Sequence, residues 1–107
     1  MTRFGFLFLA GLSLFGHKTA SITLAWDASR DKGVLRYRIY YSDITEHKAA
    51  KAKSLDVGLT TRAVVPNLVV GHTYYFTVTA INSAGRESLP SNQVKTVVGS
   101  DQGKSKR

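Results

Sequence analysis

The side chains able to carry acid–base or metal chemistry are few and scattered. His17, His47 and His72 stand 30 and 25 positions apart. None has a carboxylate at ligand spacing, and a zinc site needs three or four donors that converge. Asp27, Asp31 and Asp43 fall at strand ends and in loops, where Asp supports turns by bonding its own backbone. The 107-residue chain has no cysteine, which excludes a thiolate nucleophile, a thiolate metal ligand and a disulfide. No G-x-S-x-G, H-E-x-x-H or P-loop occurs. A carboxylate pair for hydrolysis would need a cleft that a domain of this size hardly forms. The expectation is a protein without catalytic residues, cofactor or metal, and a small hydrolase is the least supported alternative.

Binding chemistry is better represented. Fifteen Lys and Arg against seven acids give a formal charge of +8. Arg36 and Arg38 share one face of a strand, and Lys48, Lys51 and Lys53 follow in the adjoining connection. Together they would form a cationic patch for anionic polysaccharide, lipid headgroups or nucleic acid. The plainer reading is a solvated face that keeps the protein soluble. Tyr40 and Tyr75 point outward and offer the flat amphipathic surface common at recognition sites, although cross-strand pairing also explains an outward Tyr. Arg86 completes the set of candidate contact residues.

These side chains need strands to hold them. Ile22, Leu24 and Trp26 alternate with Thr23 and Ala25, which puts three large apolar groups on one face. Residues 27–33 (DASRDKG) break that strand. Leu35, Tyr37, Ile39 and Tyr41 then face one way, with Arg36, Arg38 and Tyr40 facing the other. Residues 42–54 read as a polar connection, because their helix formers carry no apolar stripe. Leu55 and Val57 mark a short strand, and Ala63, Val65 and Leu68 another, which Pro66 confines to a sheet edge or strand end. The clearest alternation is Tyr74, Phe76, Val78 and Ala80 against Tyr75, Thr77, Thr79 and Ile81. Residues 82–85 (NSAG) turn it, and residues 94–98 close the count at six strands. Short alternating strands without a helical segment predict an all-β antiparallel sandwich or barrel.

The first twenty residues have a different character. Arg3 is followed by residues 4–16 (FGFLFLAGLSLFG), thirteen positions without a charge. That order suits a secretory signal peptide and is short for a membrane span, which takes about 20 apolar residues. The expected organisation is a leader at 1–20, or an uncleaved anchor; a domain at 21–98; and a disordered basic tail at 99–107. The same run has a second reading as a first strand in which Phe4, Phe6 and Phe8 alternate. Cleavage would make the protein secreted or periplasmic, with no integral membrane span left.

Four motifs in order narrow the choice of sandwich. Residues 22–29 (ITLAWDAS) and 35–42 (LRYRIYYS) resemble the second and third strands of fibronectin type III domains. Leu68, Gly71 and Tyr74 have the spacing of that family's tyrosine corner, with Val70 where Pro is usual. Phe76, Val78, Ala80, Asn82 and Gly85 continue its pattern. Residues 87–94 (ESLPSNQV) resemble the approach to its last strand. The resemblance covers residues 21–98 and implies a core built on Trp26, Tyr37, Ile39, Tyr74, Phe76 and Val78, in six to seven strands with the first one missing. It implies a non-catalytic binding or spacer module that meets a protein or a glycan. The loop in which one member carries an integrin-binding Arg-Gly-Asp here reads Gly85, Arg86, Glu87, so that activity is not implied. A missing first strand would leave an open sheet edge, suited to edge-to-edge self-association.

Overall fold

A computed structural model describes residues 7–14, 18–45 and 52–99. His17, His47, Lys48, Lys51, Phe4, Phe6 and the tail beyond Gly99 lie outside the described residues. The strands are β1 (Leu7–Leu14), β2 (Thr19–Trp26), β3 (Val34–Asp43), β4 (Lys53–Val57), β5 (Arg62–Val69), β6 (Thr73–Asn82) and β7 (Val94–Val97). They form two antiparallel sheets, ordered β1-β2-β5 and β4-β3-β6-β7.

Alternation explains how the sheets close on each other. β2 sends Ile22, Leu24 and Trp26 inward, β3 sends Tyr37 and Ile39, and β6 sends Tyr74, Phe76, Val78 and Ala80, all buried. Trp26 meets Tyr37 edge-on at 5.5 Å between ring centroids, and Phe76 lies between Tyr41 and Tyr74 at 6.3 and 6.2 Å. Edge-on and offset contacts suit the ring quadrupoles and add to the area buried. Pro66 sits in β5, an edge strand, where a missing N–H removes no ladder bond from a neighbour.

Three features depart from the sequence reading. The first strand is present: β1 pairs with β2 from Leu7↔Trp26 to Leu14↔Ala20. It lies inside the leader-like run, so a cut after Ala20 would carry it away with the start of β2. Its core residue is Leu7, fully buried, while Phe8 is turned outward. Leu35, expected to face inward with Tyr37, is exposed, because a register shift between Val34 and Arg36 turns it out. The polar connection ends two residues early, with Lys53 and Ser54 already in β4.

The corner turn and the last loop are built by specific hydrogen bonds. Val69 N–H donates to the Tyr74 hydroxyl at 3.0 Å. Val70 uses its N–H, which a proline would lack, to reach Lys18 O at 2.9 Å. In the stretch before β7, Ser88 and Ser91 replace a strand. Each donates its N–H to a β6 carbonyl, of Ala80 and Val78 respectively. Each accepts with its Oγ from the same residue's N–H, at 2.9 and 3.0 Å. Pro90 between them could not continue a ladder. Asn92 then joins the sheets: its Oδ1 accepts from Leu7 N–H at 2.9 Å and its Nδ2 donates to Leu7 O at 3.1 Å.

Candidate binding face

The outward side of the β4-β3-β6-β7 sheet gathers most of the polar chemistry. β3 places Arg36, Arg38 and Tyr40 there, and pairing sets Arg38 between Asp56 and Thr79, and Tyr40 between Ser54 and Thr77. Tyr75 follows opposite Ser42 and Lys95. The sheet thus brings Arg36, Arg38, Tyr40 and Tyr75 onto one flat surface.

Acids neutralise the arginines there. Asp56 receives Nε of Arg38 on one oxygen and Nη2 on the other, the latter at 3.2 Å, and Arg36 Nε lies 3.4 Å from the same carboxylate. Glu87 stands 3.6 Å from Arg38 Nη1 and accepts hydrogen bonds from Tyr40 Oη and from Thr79 Oγ1, the second at 2.7 Å. The Arg38 hydrogen bond holds the Asp56 carboxyl below its usual range. Burial alone would raise Glu87, but the bonds from Tyr40 and Thr79 outweigh it and lower its pKa. Tyr40 is pushed up, first by burial and then by Glu87. A forked Arg–carboxylate contact fixes geometry more than a single ion pair does, while at this exposure its stabilising effect is small.

The expected union of Arg36 and Arg38 with Lys53 does not form. Lys53 sits opposite Tyr41, on the side of β4 shared by Leu55 and Val57, which pack against the core. It lines a cleft of about 400 Å³ between the sheets, with Tyr41, Asp43, Asn67 and Tyr74. Arg86 stands away from the sheet, exposed in the turn after β6, where Asn82 Oδ1 accepts the N–H of Ala84 and of Arg86, each at 2.9 Å.

His72 has a partner that spacing did not reveal. Its Nδ1 lies 2.6 Å from Asp43 Oδ2, and Asp43 Oδ1 accepts Thr45 N–H at 2.9 Å. Burial pulls the Asp43 carboxyl upward, but bonds from Thr45 and His72 overcome it and bring it down to about 2. Among the described residues no three His, Asp or Glu side chains converge as a metal site would need. No described helix is long and apolar enough to cross a membrane. Asp56 could have been found in the sequence, since alternation with Leu55 and Val57 turns it outward. Glu87 and Thr79 could not, because the meeting of Glu87 with both Thr79 and Tyr40 depends on how distant segments pair.

Comparison with known proteins agrees with this architecture. The sequence model of the family described as the fibronectin type III domain matches residues 11–97. A solved structure titled as a myokine superposes with a TM-score of 0.70 at 17% identity, covering 92% of this chain and 98% of that one. The fn3 domain of the human collagen alpha-1(XX) chain gives 0.64 at 23% identity, covering 91% and 86%. The FN1-FN3 domains of chicken CNTN1 give 0.65 at 23%, covering 84% of this chain and 30% of that one. No curated protein sequence matches the chain.

Proposed function

Since the chain belongs to the fibronectin type III family, we propose that it acts as a non-catalytic contact or spacer module, meeting a protein or glycan through the outward face of β4-β3-β6-β7. Domains of this family are generally non-enzymatic. One observation carries the choice of face: Tyr40 and Arg38 are held in place by Glu87 and Asp56, with Glu87 itself bonded by Thr79, so two large side chains are fixed before any partner arrives. Side chains already ordered lose less entropy on binding.

The pairing of both arginines with carboxylates weighs against the rival reading of this face as a cationic site for anionic polymers, because their charge is already met. An address outside the cytoplasm, secreted or periplasmic, competes with β1 for residues 7–14 and therefore depends on whether the amino-terminal run is kept.

The test compares the immobilised protein with a Tyr40→Ser/Tyr75→Ser variant on a glycan array and in host extracts. The proposal expects the variant to lose the ligands that wild type retains, while its melting temperature stays within a few degrees. Identical capture by both proteins would refute the face.

A further inference from the structure

The sandwich has four strand edges, and three of them are protected. β5 contains Pro66 and the positive-φ residue Asn67, β4 contains Lys53 and Asp56, and β7 is four residues long with Lys95 in its middle. Proline, charge and short length are the usual means of blocking edge pairing. β1 lacks all three: its eight residues, LFLAGLSL, hold no charge and no proline, and its one protective feature is a bulge between Leu9 and Gly11. Among the described residues no strand pairs on its outer side, and Leu9 and Leu12 stand at 43% and 40% exposure, which is high for side chains on the core face of a sandwich.

The register shift between Leu9 and Gly11 explains how both leucines reach that face. Leu9 pairs with Leu24 and Leu12 with Ile22, so each shares the inward direction of its β2 partner, although three positions separate them. β1 is firmly held as a template, through its ladder to β2, the burial of Leu7 and the double bond of Leu7 to Asn92.

We propose that the free edge of β1 pairs antiparallel with β1 of a second copy of this chain, joining two three-stranded sheets into one. Full overlap of the strand with its two-fold mate sets Leu9 against Leu12 of the copy, and Leu12 against Leu9. Each half-exposed leucine then covers the other on the core face, as a self-complementary isologous seam requires. The self-matching register selects a second copy at this edge. In a chain of formal charge +8, pairing two copies through β4, β5 or β7 would place Lys53, Arg62 or Lys95 twice in one seam, whereas β1 adds no charge to its own.

The test uses the full chain, in which the absence of native cysteine makes introduced thiols clean reporters. Sedimentation should show a concentration-dependent dimer, and a variant carrying both Leu9→Lys and Leu12→Lys should weaken it by about tenfold or more, since each lysine would then face a lysine of the copy across the seam. Leu9→Cys mixed with Leu12→Cys should form a disulfide-linked heterodimer under mild oxidation, faster than either variant alone and faster than Val64→Cys on the β5 edge. A monomer at all concentrations would overturn the proposal. So would a dimer indifferent to the lysines, cross-linking no faster in the mixture than in the controls, or a purified protein whose intact mass lacks residues 7–14.

Discussion

Asn92 shows how one side chain can do the work of a strand. Its amide accepts from and donates to Leu7, 85 positions away, and both bonds are partly buried. Asn92→Ala would leave an N–H and a carbonyl unmet, so a loss of about 1–3 kcal/mol is expected in urea unfolding. Asn92→Asp should lie between, because a carboxylate can accept from the N–H but cannot donate to the carbonyl. Val70 makes a complementary case. Proline is usual at this corner and ordinarily stiffens a turn, but here it would remove the Val70 N–H bond to Lys18 O. Val70→Pro is therefore expected to lower the melting temperature, and a rise would show that this bond adds nothing.

At the scale of elements, strand alternation made β2 to β7 legible, because each buries one face and wets the other. β1 was hard to read for a physical reason: apolar side chains occupy both of its faces, so a run that must pass a membrane and a run that lines a sheet edge look alike. The exposed Leu35 was equally hidden, since a bulge depends on the partner strand rather than on local sequence. The candidate face was half visible. Arg36, Arg38 and Tyr40 follow from the alternation of β3, but the acids that hold them come from β4 and from the turn after β6. The end of β3 also gives a pH dependence. Asp43, drawn from 3.8 to about 2 by Thr45 and His72, stabilises the fold above its unfolded pKa, and that contribution fades as pH falls from about 4 towards 2. With screening at a side chain one-third exposed, the effect is about 1 kcal/mol. Asp43→Asn should lower stability at pH 6, with the gap to wild type closing near pH 2 in thermal melts.

For the whole molecule, net charge and local charge have separate consequences. A formal charge of +8 draws the protein to any polyanion, and such attraction weakens steeply with salt. Asp56 and Glu87 cancel Arg36 and Arg38 on the sheet face. The carboxyl-terminal sequence contains Lys104, Lys106 and Arg107 with only Asp101 as counter-charge. Heparin retention separates the two sources. Arg38→Gln with Asp56→Asn preserves net charge while removing the forked pair, and elution should stay at the wild-type salt concentration. Neutralising Lys104, Lys106 and Arg107 with Gln should move elution to lower salt. The reverse result, with the pair controlling elution and the terminal cations having no effect, would make the sheet face itself the polyanion site. Retention would then report recognition by ordered arginines rather than the unfocused attraction of a basic chain.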